Sequence, residues 1–342
     1  MRAAQVVRHG RPVEAVEIRE LAVPEPGPGS VRIAVSAASL NFGDIARCRG
    51  TISSVMIPPP FTLGMDVCGV VDAAGDGATQ WIGRRVVAIT TMALGGIADA
   101  ALAPVHGVFD APPELDDFEA AAFTLPFHVS HLALHKRARL AVGETLMVVG
   151  GASGVGTAAI QLGVAAGADV IAIAGGDKGA VCAQLGASLV IDPTAGDMFD
   201  RVMSHTDGRG AEVVLDVVGG DLVETTWTCV AREGRYLPVA FNDDVQSGMT
   251  GRPLRKVSTG NFSVVGVLLS YNEVPLQVRR AGLNPFPSST GSEVHAALRD
   301  LVAAGAIRPV VGRHIRIEDV GAALEDHEQR RTAGRTVVDL RP

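Results

Sequence analysis

The sequence predicts an α/β fold in which a β-rich domain leads into a doubly wound parallel sheet, and three observations predict it. The first is a strand, glycine turn and helix at residues 146–162, LMVVGGASGVGTAAIQL. The second is the alternation that follows it. Short apolar runs recur at residues 170–174 (VIAIA), 189–191, 212–218 (EVVLDVV), 236–240 and 263–269 (SVVGVLL), with helical stretches between most of them. With the run at 146–149, this makes a sheet of about six strands with helices on its faces. The third is that residues 1 to about 120 lack this rhythm and read as short strands between turn-rich segments.

In chain order, strands are predicted at residues 16–21, 31–40 and 67–74, separated by segments such as PEPGPG and IPPPF. One helix is predicted in this domain, over residues 41–49, with Asn41 as its cap. Around residues 111–117 (APPELDD) the composition shifts, and helical Ala/Leu/His segments lead into the glycine turn. There the apolar run 146–149 suits a strand buried on both faces of a parallel sheet. The turn has a glycine at its first fingerprint position, Gly151, and at its last, Gly156; Ser153 takes the middle place, beside Gly154. Gly151 is expected to permit the tight turn and Gly156 the close approach of helix to strand. The N–H groups of Ala152, Ser153, Gly154 and Val155 would then face a pyrophosphate at the positive end of the helix dipole. Beyond the sixth strand, residues 284–291 read as a loop and 292–304 as a helix carrying Val294, Leu298 and Leu301 on one face. A second helix is expected at 318–326 and a last strand at 336–340.

Composition narrows the functional classes. The chain has 342 residues, 47% of them hydrophobic, enough for two domains with sizeable cores. A net charge of −7, without a basic patch interleaved with aromatics, argues against nucleic acid or an anionic membrane as a partner. Charges interrupt the first residues every few positions, so no signal peptide is expected there, and no uncharged apolar run is long enough to span a bilayer. The four scattered cysteines (Cys48, Cys68, Cys182, Cys229) suggest reduced thiols in a cytoplasmic protein.

The order of motifs resembles the medium-chain dehydrogenase/reductase superfamily, and within it the zinc-free quinone oxidoreductase branch. The likeness runs through N-F-x-D at residues 41–44, LGMDVCGVV, RARLAVGETLMVVGGASGVG, GAEVVLDVVGG, NFSVVGV, GAIRPVVGRHI and AGRTVV. It implies a GroES-like catalytic domain at residues 1–122 and a Rossmann cofactor domain at 123–265. Residues 266–342 would complete the sheet edge and return to the catalytic domain. Zinc-dependent relatives need thiolate and imidazole ligands converging on one ion. At the matching positions this chain has Asn41, Met65 and, by ungapped matching, Leu125, with Asp66 in place of the family's Glu. A metal-free protein is expected.

Without a Lewis acid, hydride must go to an acceptor that is already electron-poor, a quinone or an α,β-unsaturated carbonyl compound. The resemblance puts Asn41 and Asp44 near the nicotinamide, and Tyr271 could supply a hydroxyl, although a core or interface role suits it better. The Tyr frequent in the family two residues after the Asp is Ala46 here. For the cofactor, the second strand ends in an alanine followed by Gly175 and Gly176, with room for a 2′-phosphate; Lys178 matches the lysine of NADPH-binding quinone reductases. Arg330 matches a C-terminal arginine of the same subgroup, and Val218 and Phe241 fall at further cofactor positions. NADPH is therefore the expected cofactor, although Asp177 stands near the spacing of the acid that selects NAD. A homodimer is expected, paired through the sixth strand. An enoyl-thioester reductase is the alternative enzyme, and an NADPH-binding regulatory or structural protein without turnover, including an RNA-binding one, is the alternative outside enzymes.

Overall fold

The computed structural model describes residues 1–51, 57–239, 254–273, 279–280 and 282–341. The chain divides into two compact units, Met1–Leu125 together with Leu269–Pro342, and Pro126–Leu268. Between them they contain a GroES-like β domain and a Rossmann sheet, as the sequence predicts.

The first unit opens with β1 (Arg2–Val6), β2 (Val16–Glu20) and β3 (Ser30–Ser39). Helix Phe42–Arg49 follows, then β4 (Phe61–Thr62), β5 (Asp66–Ala74), β6 (Arg85–Ile89), β7 (Ala100–Pro104) and β8 (Val108–Asp110). β3 and β5 were legible because Val31, Ile33 and Val35 alternate inward along the one and Val67 and Val71 pack inward from the other. Four of the strands that sequence reading missed have evident reasons. β1 (RAAQV) and β7 (AALAP) carry two and three alanines among their five residues, and alanine has little intrinsic strand preference. β4 and β8 are only two and three residues long.

The second unit holds β9 (Thr145–Val149), β10 (Asp169–Ile173), β11 (Leu189–Ile191), β12 (Ala211–Asp216), β13 (Val230–Pro238) and β14 (Ser263–Val264). Their order is β11-β10-β9-β12-β13-β14, and every pairing is parallel. β9 is buried at every position, as a central strand covered on both faces must be. Met147, Val149, Ile171, Val214, Trp227 and Tyr236 form the core on one side of this sheet. The predicted strand at 263–269 is the main difference, since only Ser263 and Val264 join the ladder. Val265 still donates its N–H to Tyr236 O at 2.8 Å, but β13 ends two residues later at Pro238, which has no N–H to continue the ladder.

The chain then returns to the first unit. Helix Ser288–Ala303 begins four residues earlier than predicted, directly after Pro287; its opening Ser-Ser-Thr has the composition of a loop, and proline at the boundary starts the helix instead. β15 (Val311–Arg316), helix Val320–Glu328 and β16 (Arg335–Asp339) complete the unit. β15 and β16 join a sheet in the order β15-β16-β3-β5-β6-β8, with β7 also on β3, while β2-β1-β4 form a small separate sheet. Val6, Ile33, Leu40, Leu63, Ile97 and Leu324 belong to its core. Among the described residues no helix is long and apolar enough to cross a membrane.

Candidate functional site

In the second unit the glycine turn lies at the point where strand order reverses, between β9 and β12. In open parallel sheets this is where ligands bind. The left-handed residue is Gly150 (φ 84°), one position before the glycine expected to make the turn. Gly151 serves packing: a Cβ there would lie 3.0 Å from the Ala172 Cβ and 3.1 Å from Cys182 Sγ. The N–H groups of Gly150 and Gly151 both donate to Ile173 O at 3.0 Å, which fixes the turn to the end of β10. Gly156 meets the predicted requirement, because a Cβ there would lie 2.2 Å from Gly150 O. Ser153 caps helix Gly154–Ala165 by accepting from the Gly156 N–H at 3.0 Å, while its own N–H donates to Gly150 O. Two of the predicted phosphate-facing positions, Gly154 and Val155, are thus the first residues of the helix, whose N–H groups have no intrahelical acceptor.

At the end of β10, Gly176 has φ 58° and open space where a Cβ would stand. Asp177 is exposed and Lys178 partly buried. Sequence reading missed Asp192, which follows β11. Its carboxylate accepts from the Gly176 N–H at 2.8 Å and from the N–H and hydroxyl of Thr194 at 2.9 and 2.7 Å. The Gly176 and Thr194 bonds, with the Lys178 charge assisting, hold the Asp192 carboxyl down at about 2. The available signal was Asp-Pro-Thr after an apolar run, a capping acid ahead of a proline turn. Val218 packs over the glycine turn, its γ-methyl 2.8 Å from the position of a Gly150 Cβ. Phe241 lies outside the described residues.

In the first unit Asn41, Asp44, Asp66 and Arg335 gather at the start of helix Phe42–Arg49, all nearly or fully buried. The Asn41 amide donates to Ser39 O at 3.1 Å and to Asp66 Oδ1 at 2.8 Å, and its Oδ1 accepts from Arg335 Nη1 at 2.8 Å. Arg335 Nη2 reaches both Asp66 oxygens, at 3.1 and 3.0 Å. Burial pushes the Asp66 carboxyl up, while the guanidinium, the Asn41 amide and the Leu125 N–H pull against it. Asp44 accepts from the N–H groups of Asn41 and Gly64 at 2.9 and 3.3 Å, with Arg47 Nη1 at 3.6 Å. Burial raises its carboxyl too, more than Arg47 lowers it.

Tyr271 is in the same unit but is not part of this cluster. Its ring packs edge-on to Phe109 at 6.1 Å and against Gly291, and burial pushes its hydroxyl pKa up. Arg330, also in the first unit, is exposed just after helix Val320–Glu328, with φ 56°. Arg335 was the residue missed here. It was visible only as part of AGRTVV, with no local sign that it would pair with residues 269 and 294 positions away.

Two family models match the chain: the alcohol dehydrogenase GroES-like domain over residues 27–113 and the zinc-binding dehydrogenase over residues 154–281. The quinone oxidoreductase of Lama guanicoe is 30% identical over 95% of this chain and 93% of its own length. The quinone oxidoreductase-like protein 2 homolog of Nematostella vectensis is 31% identical over 63% of this chain, a match that spans 59% of that relative. A phthioceranic/hydroxyphthioceranic acid synthase of Mycobacterium tuberculosis is 32% identical over 81% of this chain, a match spanning only 14% of the synthase. Among solved structures, an NAD-dependent alcohol dehydrogenase superposes with a TM-score of 0.85 at 28% identity, covering 99% of each chain. The mycobacterial Rv1454c complexed with NADPH gives 0.84 at 25% identity, again over 99% of each. The chain is an oxidoreductase of the medium-chain dehydrogenase/reductase superfamily. Within that superfamily it belongs to the quinone oxidoreductase-like branch.

The zinc implied by one of those family names does not suit the residues present. Both polar atoms of Asn41 are engaged, Leu125 offers no side-chain donor, and Met65 offers only a thioether, a ligand foreign to zinc sites. The Asp66 oxygens already face a guanidinium. Among the described residues no group of three or more His, Cys, Asp or Glu could hold a metal ion.

Proposed function

We propose that this protein is a zinc-independent, NADPH-dependent reductase of quinones or α,β-unsaturated carbonyl compounds, acting as a cytoplasmic homodimer. The observation that carries the reading is the filled cluster at Asn41, Asp66 and Arg335, where zinc-dependent relatives need ligands. A cation is already supplied there by a side chain, so the acceptor must be one that needs no metal to polarise it.

NADPH, when bound, supplies the hydride. The residues do the rest. Gly151–Gly156 and the start of helix Gly154–Ala165 receive the pyrophosphate, for which the shape enforced at Gly156 and the unpaired helix N–H groups are fitted. Gly175 and Gly176 leave room at the ribose and Lys178 meets the 2′-phosphate. Val218 and Phe241 complete the cofactor set. In the catalytic unit Asn41 and Asp44 fix the start of their helix, and Tyr271 is a further hydroxyl of that unit. Orientation of the acceptor and exclusion of water then supply the rate. A quinone takes its protons from water, so this reading needs no dedicated acid.

An enoyl-thioester reductase is the second reading, supported by the 32% identity to part of a phthioceranic/hydroxyphthioceranic acid synthase. The discriminating experiment follows NADPH oxidation against a panel of quinones, enones and enoyl thioesters. The proposal expects turnover with the first two and little with thioesters. Turnover confined to thioesters selects the alternative, and NADPH binding without turnover on any acceptor makes the protein a cofactor-binding regulator.

A further inference from the structure

The Rossmann unit carries a buried ionisable pair that the cofactor residues above do not use. Asp216 ends β12, a central strand, and is 0% exposed, as is Tyr236 on β13. A carboxylate in such a place is expensive unless fully hydrogen-bonded. It is well supplied here. Oδ1 accepts from the N–H groups of Val218 and Gly219 at 2.8 and 2.9 Å, and Oδ2 accepts from the Tyr236 hydroxyl at 2.6 Å. The register of the two strands places Tyr236 opposite Val214, two residues before Asp216 and on the same face, and Trp227 supports the phenol ring edge-on at 5.9 Å.

The two N–H groups that Asp216 gathers belong to a loop of unusual shape. Gly219 and Gly220 are both left-handed, with φ of 65° and 62°. The loop is tied to the end of β9 by Val217 N–H donating to Val149 O at 3.1 Å, and to the glycine turn by the Val217 and Val218 methyls, which fill the space over Gly150. A purely structural residue at the end of β12 could be apolar, like the rest of the strand. A carboxylate that bends the next three residues back onto the phosphate turn shapes the binding groove itself.

Strand order also says which part of the groove. The ribose of the adenosine half is read at the end of β10, on one side of β9, so a dinucleotide crossing the switch point lays its other half over β12. We propose that Asp216, held by Tyr236, is a positioning residue that sets the loop of residues 217–220 as the wall against the nicotinamide half of the cofactor. This rests on the dinucleotide-binding reading of the site and deepens it.

The test is a comparison of whole cofactors with fragments lacking the nicotinamide, in the full-length protein. NADPH and 2′,5′-ADP, and NADH with ADP-ribose, are titrated calorimetrically into wild type, Tyr236→Phe and Asp216→Asn, with circular dichroism as the check on folding. Tyr236→Phe loses one hydrogen bond to a charged acceptor, so its affinity for the whole cofactor should fall about tenfold while the fragments bind within about twofold of wild type. Asp216→Asn should show the same selective loss. Equal loss for cofactor and fragment, or a lowered melting temperature with unchanged affinities, makes the pair structural only and overturns the proposal. A Tyr236→Phe protein that does not fold also makes the hydroxyl structural, unless a folded Asp216→Asn shows the selective loss. Wild type that binds none of the four ligands overturns the dinucleotide reading, and this inference with it.

Discussion

Arg335 ties together a buried polar cluster in the first unit. Its guanidinium is 7% exposed and holds Asp66, which is fully buried, together with Asn41 from another part of the chain. Removing one partner of such a pair strands the other charge, at a cost of about 3–5 kcal/mol, whereas removing both is far milder. Arg335→Leu should therefore destabilise the protein by about 3–5 kcal/mol in urea unfolding, and Asp66→Asn combined with it should recover a large part of that loss. Additive losses would mean the two groups are not energetically coupled. At the ribose end the proposed function assigns the deciding role to Lys178. A hydrogen bond to a charged phosphate contributes about 1.5–3 kcal/mol, so Lys178→Ala should weaken NADPH binding about tenfold to a hundredfold and leave NADH nearly unchanged. Asp192, anchored to Gly176 and kept ionised, adds a negative charge close by. Tighter binding of NADH than NADPH by wild type would show that acids rather than Lys178 dominate this corner.

At the level of elements, strands and helices with strong internal patterns were legible, and those defined by their neighbours were not. β11 was placed to the residue, and β3, β5 and helix Phe42–Arg49 to within one residue. β7 and β15 depend on tertiary pairing: one is alanine-rich, and the other, VGRHIR, carries mostly exposed polar residues. The glycine turn was legible because sterics leave no alternative at Gly156. The Asn41–Asp66–Arg335 cluster was half legible, since the substitutions at the ligand positions were visible but the cation that fills the space comes from the far end of the chain. β14 carries the prediction at this scale. It ends the six-stranded sheet, and both of its residues are exposed. An edge of this kind invites pairing with a second copy. In the proposed homodimer, Val264→Lys should move the protein towards monomers in light scattering without altering cofactor affinity. Wild type that is monomeric at assay concentration and above would refute the dimer.

The whole molecule combines a parallel sheet that presents a glycine turn with a β-rich unit that buries an internal ion pair. Neither feature names the acceptor, because the fold serves many chemistries and the residues that choose a substrate lie on loops. The proposed function is reduction without a metal. The most direct test is NADPH oxidation with a quinone by desalted protein whose metal content is measured before and after chelation. Zinc-independent reduction requires less than about one-tenth of a zinc per chain, and turnover that chelation leaves unchanged. One zinc per chain, with activity lost on chelation and restored by zinc, would contradict it.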